Sequence, residues 1–327
     1  MALQVKNSGL VSEQDPSSLP VPHGRRSRRK SSEAADERSL ISPLTLRRPG
    51  PRIIYWAIFV GLVFSTVITL GPVYWMFSGG LKSSSELYQT PPTIWAQHPL
   101  WSNFTQAWAV MGLQLYFVNT LILAVGAVVL QVVVSATAAY ALSKLRPAGG
   151  NIIQFGFFCT LMVPPVAYLI PQFVNVNDIP FLHISLFNSW AGVWLPEAAN
   201  PFNILILKSF FDAIPNDLTE AARLDGASSW RIFTNIIVPL SQPVLAVVTI
   251  FTIVATWKDF LWPLLVLADP SVQSLQVALY HLQQPNANLP FNYLIASLAL
   301  ASIPPIILFL IFQKQIIRGI SLTGLKG

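Results

Sequence analysis

Apolar residues in this chain gather into long blocks separated by shorter polar stretches, beginning near residue 53 and continuing almost to the end. A helix needs roughly 20 apolar residues to cross a hydrocarbon core of about 30 Å. Six stretches meet that length: about 53–78, 117–142, 152–174, 186–210, 241–267 and 293–315. The pattern predicts an all-α polytopic membrane protein with six transmembrane helices. The fourth stretch carries Glu197 and Pro201, and the fifth carries Lys258-Asp259, so these two are less pure.

Proline falls inside several blocks: Pro164-Pro165 and Pro171 in the third, Pro263 in the fifth, Pro304-Pro305 in the sixth. Each removes a helical hydrogen bond, and a carbonyl freed at membrane depth is tolerated where it lines a cavity. Broken helices of this kind suit transporters, although proline is common in membrane helices generally. In the second block Ser135, Ala139 and Ser143 recur every four residues and give a small-residue face for close helix approach.

Composition agrees: 53% of residues are hydrophobic and 10% charged, far below the roughly 25% charge of soluble domains. The single cysteine, Cys159, lies in an apolar run and reads as a packed, inert thiol. Charge is spread unevenly. Residues 1–52 hold ten of the twenty Lys and Arg, are rich in Ser and Pro, and read as a disordered basic cytoplasmic tail. The cluster Arg25, Arg26, Arg28, Arg29, Lys30 fits an anchor against anionic lipid better than a nucleic-acid site. Across the connections, eighteen Lys and Arg fall on one side; only Lys82 falls on the other, and Lys258 lies within a span. By the positive-inside rule both termini and the segment 208–240 are cytoplasmic. The outer connections are 79–116, bearing Trp95, Trp101 and Trp108, and the polar loop 268–292. Asn103-Phe104-Thr105 matches a glycosylation sequon, a single match that carries little weight.

The segment 217–240 is too polar to span. Asn216 or Asp217 after Pro215 can cap a helix containing Leu218, Ala221, Ala222 and Leu224. Gly226 suits a left-handed helix end, and Ser228 or Ser229 can cap a second helix with Trp230, Phe233, Ile236 and Ile237 on one face, closed by Pro239. Ala221 and Ala222 are small enough to seat deep in a partner's groove, with Glu220 and Arg223 free to pair with charges there. A plain surface helix fits these residues equally well.

A resemblance separates the two. Glu220-Ala221-Ala222, Gly226 and Ile237-Val238-Pro239 resemble the EAA loop of inner-membrane permeases of ATP-binding-cassette importers. The flanking FFDAIPNDLTEAARLDGAS and VPLSQPVLAVVTIFTIVATWKDFLWPL resemble the maltose-type carbohydrate uptake subfamily, and the closing LTGLKG resembles the tail of its second permease subunit. The likeness covers about 53–327 and implies the type I ABC importer permease fold. Domains then run as tail 1–52, first helix and outer loop 53–114, permease core 115–315, and C-terminal tail 316–327. It also implies that Glu220, Ala221, Ala222, Arg223, Asp225 and Gly226 couple to a dimeric cytoplasmic ATPase. Leu322, Thr323, Gly324, Leu325 and Lys326 would reach that ATPase too. Loop 268–292 would meet an extracytoplasmic solute-binding protein, and a second, different permease would complete a path for a sugar. ATP and Mg would be bound by the ATPase, with no cofactor in this chain.

One departure stands out: Trp257-Lys258-Asp259 replaces the family's Trp-Asn-Asp or Trp-Asn-Glu, which makes these three candidate path residues. Lys258 also fits a snorkelling role or a pair with Asp259. Trp190, Trp194, Phe251, Trp257 and Trp262 could stack on sugar rings. No Gly-x-x-x-x-Gly-Lys-Ser/Thr loop occurs, and His98, His183 and His281 are isolated. The rival reading is an ion-coupled secondary transporter, which would need Glu197 or Asp259 for coupling and no role for 220–226. A membrane-embedded enzyme would need a catalytic cluster that the sequence does not display.

Overall fold

The structure, a computed structural model, describes residues 49–284 and 289–323. Most of the basic tail, together with Gly324, Leu325 and Lys326, lies outside the described residues. Contacts divide the chain after Leu70. Up to that point there is one helical stretch, the first part of α1 (Pro49–Gly80), whose side chains from Arg52 to Leu70 are all exposed.

From residue 71 onward the fold is built around α4 (Leu113–Leu145), whose last turn, 141–145, is a π turn. Its buried side chains include Thr120, Leu123, Ala127, Gln131, Ser135, Ala139 and Ser143, steps of three or four residues that form a single stripe. The expected small-residue face is the lower half of that stripe. It packs against α8 (Pro201–Ala213) and α11 (Gln242–Lys258). At Gly126 the approach is closer still. A Cβ added there would stand 2.1 Å from the ring of Trp194, whose indole N–H donates to the Leu123 carbonyl at 2.9 Å.

The expected third span is two helices, α5 (Gly150–Met162) and α6 (Pro165–Asn177), bent by 106°. Pro164 adopts an extended conformation and Pro165 starts the new helix, as proline chemistry favours. The fourth is also divided. After an extended approach come α7 (Trp190–Glu197) and then α8, which starts at Pro201 with the Asn200 carboxamide oxygen accepting from the Asn203 N–H. The fifth stops at Lys258; Asp259 is extended, and α12 (Leu261–Val266) follows. Among the described residues three helices are long and apolar enough to cross a membrane singly, and up to five spans result if each bent pair counts as one.

The last helix, α14 (Phe291–Thr323), corrects an expectation by running unbroken through Pro304-Pro305. Proline at 305 has no N–H for the Ala301 carbonyl four residues back. That carbonyl accepts instead from the Trp257 indole at 3.2 Å. Cys159 is a second correction: it is exposed on α5, because that helix buries no side chain in the lone chain.

At the Leu113 end of α4 the connections are ordered rather than loose. Besides short α2 (Ser84–Leu87) and α3 (Ser102–Val110), the polar stretch 268–284 contains α13 (Leu275–Leu282), with Leu275, Val277, Ala278 and Leu279 buried. Asn119 donates to the carbonyls of Ser271 and Gln273, at 2.8 and 3.0 Å, and so seats this segment. Asn103, the sequon residue, is buried and donates to Gly80 and Lys82 carbonyls.

Candidate functional site: a docking element and a cavity joined by one helix

The EAA segment forms α9 (Asn216–Leu224), followed by α10 (Ser229–Leu240), which contains a π turn over Phe233–Ile237. Between them Gly226 has φ +79°, and the N–H groups of Gly226 and Ala227 donate to Arg223 and Ala222 carbonyls. Ser228 caps α10 by accepting from the Arg231 N–H at 3.3 Å. The start of α9 is built differently from the expectation. Neither Asn216 nor Asp217 caps it; the Asn216 side chain accepts from Lys144 Nζ at 3.0 Å, and the same ammonium donates to the Ile214 carbonyl at 2.7 Å. One lysine from the end of α4 therefore ties the end of α8 to the start of α9.

Two further residues of that turn do similar work. Tyr140 donates from its hydroxyl to the Ser229 carbonyl at 3.1 Å and lies beside the Phe233 ring. Ser143 donates to Asp212, whose other oxygen receives Lys208 Nζ at 2.7 Å. Below these bonds Ala139, Ile214, Ile232, Phe233 and Ile237 form a buried core against which Ala222 and Ala227 rest. Pro239 does not close α10; the helix continues to Leu240 and bends by 80° at Ser241 into α11.

The predicted docking residues divide by face. Thr219 is buried and Ala222 half-buried, turned toward the core, so Ala222 is a seat rather than a probe. Glu220, Ala221, Arg223, Asp225 and Gly226 are exposed together, with Leu224 at 89% exposure among them. Trp230, expected on the buried face of α10, is exposed; Ile232 takes its place. An exposed leucine and tryptophan flanking two small residues and a carboxylate make a surface that water solvates poorly.

Between α4, α6, α8, α11 and α12 lies a cavity of about 790 Å³. Lys258 and Asp259 line it, together with Glu197, Phe251 and Trp262. Lys258 does not pair with Asp259: the ion pairs among the described residues are His183–Asp178 and Lys208–Asp212. Trp257, expected beside them, is buried away from the cavity and serves the Ala301 carbonyl. Trp190 and Trp194 likewise donate to backbone carbonyls, of Val272 and Leu123. These indoles share a constraint: an indole N–H withdrawn from water must find an acceptor, and a backbone carbonyl supplies it in each case.

Sequence reading passed over three polar residues at the cavity, Gln131, Asn203 and Thr252, each embedded in an apolar run. A polar side chain in a span was the available signal. It also passed over Lys82, counted only as an outer charge. Lys82 is 1% exposed, donates to the Thr93 carbonyl and lies 4.4 Å from the Trp75 ring centre. On the separate connection 268–292, the Asp269 carboxyl is held below its usual range by the Ser271 N–H and hydroxyl.

Comparison with known proteins matches this arrangement. Residues 131–322 match the family model described as binding-protein-dependent transport system inner membrane component. The chain is 30% identical over 276 residues to the probable ABC transporter permease protein YurM of Bacillus subtilis (strain 168), covering 83% of this chain and 88% of that one. It is 30% identical over 285 residues to the arabinooligosaccharides transport system permease protein AraQ of the same organism, covering 86% and 99%. A crystal structure of a bacterial ABC transporter involved in importing the acidic polysaccharide alginate contains a similar chain, with TM-score 0.74 and 25% identity over 82% of this chain and 98% of that one. The chain therefore belongs to the binding-protein-dependent transport system inner membrane component family.

Proposed function

We propose that this chain is one permease subunit of an ATP-driven importer that carries a sugar, of di- or oligosaccharide size, across the bacterial cytoplasmic membrane. A second permease completes the path, an extracytoplasmic binding protein delivers the sugar, and a dimeric ATPase drives the cycle. ATP and Mg belong to that ATPase, and membrane lipid surrounds the spans. Both termini face the cytoplasm, in keeping with the charge asymmetry of the connections. Supporting the sugar assignment are relatives such as the arabinooligosaccharide permease and the alginate importer.

The observation that carries the reading is the exposed surface of Glu220, Ala221, Arg223, Leu224 and Asp225 on an element bonded to α4. ATP binding closes the ATPase pair and displaces that surface. Tyr140 and Lys144 pass the displacement into α4, and the cavity wall moves with it. Preferential binding of ATP to the closed state biases the equilibrium. The tail residues Leu322, Thr323, Gly324, Leu325 and Lys326 provide a second contact to the ATPase. On the outer side, exposed Tyr280 and His281 of α13 form the face offered to the binding protein.

The test is co-purification of the ATPase with the two permeases, comparing the native chain with Glu220→Lys combined with Leu224→Asp. Both positions are exposed, so the permease pair assembles normally. Loss of the ATPase and of sugar uptake is expected; an intact, transporting complex would refute the coupling role. An ion-coupled transporter, by contrast, would be indifferent to this double substitution.

A further inference from the structure

The Gln131 side chain is held firmly at one end and left free at the other. Its carbonyl oxygen accepts from Asn203 Nδ2 at 2.9 Å and from the Thr252 hydroxyl at 3.0 Å. Its Nε2, with two protons to donate, has no partner among the described residues, and neither has the carbonyl oxygen of Asn203. Gln131 is 7% and Asn203 3% exposed, and both line the cavity. Neither free atom is sealed away, since the sealed, unpartnered side-chain atoms among the described residues are the hydroxyls of Ser135 and Ser241. Three helices, α4, α8 and α11, thus fix one bare donor and one bare acceptor at the cavity wall.

A buried polar atom without a partner is costly, so the pair awaits a ligand or the water that holds its place. The ligand's chemistry follows from the two atoms. A carboxylate or phosphate only accepts; it would satisfy Gln131 but confront the Asn203 oxygen, and in the same cavity two carboxyl groups, Glu197 and Asp259, stand against the one ammonium of Lys258. An ammonium only donates and would confront Gln131 Nε2. A hydroxyl both donates and accepts, and vicinal hydroxyls of a sugar ring meet both atoms at once. Phe251 and Trp262, on the walls, offer the apolar surface that the face of such a ring requires.

We propose that Gln131 and Asn203, positioned by Thr252, form a hydroxyl-reading subsite through which this subunit itself selects an uncharged sugar ring. The proposal rests on the importer reading above and adds a substrate class and a set of contacts to it. The Thr252 hydroxyl is spent on Gln131 and acts by positioning it, while the two amides touch the sugar.

The experiment uses the complete importer, with both permeases, ATPase and binding protein, in proteoliposomes. A panel of neutral disaccharides (maltose, cellobiose, sucrose, arabinobiose), a uronic-acid disaccharide and glycerol 3-phosphate is screened for stimulation of ATP hydrolysis. Gln131→Glu keeps the shape of the side chain and an oxygen for Asn203 and Thr252, but replaces the free donor with an acceptor. With the stimulating neutral sugar, it is expected to raise the KM for uptake about tenfold, the worth of one hydrogen bond. Thr252→Val is expected to raise KM less. If Gln131→Glu does not assemble, a diazirine derivative of the same sugar on the native complex decides, with label expected on peptides containing residues 131 and 203. An unchanged KM in an assembled variant, or label confined to the partner permease, overturns the subsite and leaves the importer reading standing. Stimulation by charged solutes alone also overturns it. No stimulation by any saccharide would bring down the importer reading itself.

Discussion

Single side chains in this protein are explained by backbone groups far away in sequence. Trp257 sits next to Lys258 and Asp259, and adjacency makes all three look like one site. Only the latter two line the cavity. Trp257 turns the other way because Pro305 leaves an acceptor at Ala301, 44 residues along the chain. No local rule pairs those positions; the proline was legible and its partner was not. Replacing Trp257 with Phe keeps an aromatic ring but a smaller one and removes the N–H, leaving the carbonyl unpaired at a cost of about 1–3 kcal/mol, to which the lost packing adds. The expected outcome is a lowered thermal midpoint of the detergent-solubilised permease pair; an unchanged midpoint would mean that the bond contributes nothing. Gln131 teaches the converse. Its polarity inside an apolar run was visible, yet its meaning depends on Asn203 and Thr252, brought to it by two other helices.

At the level of elements, signals that act within a turn or two were readable. Gly226 takes the left-handed conformation, Ser228 caps the helix after it, and the four-residue repeat of small residues in α4 faces its neighbours. Boundaries settled by tertiary contacts were not readable. Asn216 has the chemistry of a cap, but Lys144 reaches it across 72 residues and uses its oxygen otherwise. The fourth apolar block has the length of a span and is nonetheless two helices, because Asn200 and Pro201 begin a new one. Packing closeness was equally hidden: nothing local to Gly126 announces the Trp194 ring on its bare backbone. Gly126→Ala places a carbon inside that ring's contact distance. Because the neighbour is a rigid, hydrogen-bonded indole, about 1–3 kcal/mol of destabilisation is expected. Urea or thermal unfolding followed by tryptophan emission measures it, and a native-like transition would show that the ring can yield.

For the molecule as a whole, α4 is the member common to both sites. Gln131 stands at the cavity, and Tyr140, Ser143 and Lys144 stand beside the α8–α10 segment, about 14 to 20 Å away at 1.5 Å per residue. Linkage between two ligands of one body is symmetrical: whatever free energy ATP-driven docking contributes to the sugar's hold, the sugar returns to the ATPase's hold. A saturating neutral disaccharide is therefore expected to change the dissociation constant of the ATPase from the permease pair by the same factor as the ATPase changes that of the sugar. Tyr140→Phe, which removes the bond to Ser229, is expected to shrink both factors together. A factor of one in both directions would mean that the two ligands are not coupled through this helix. Under the proposed coupling the stripe along α4 is a ledger with two columns that must agree, so that a solute held at one end of the helix is read at the other as a change in affinity.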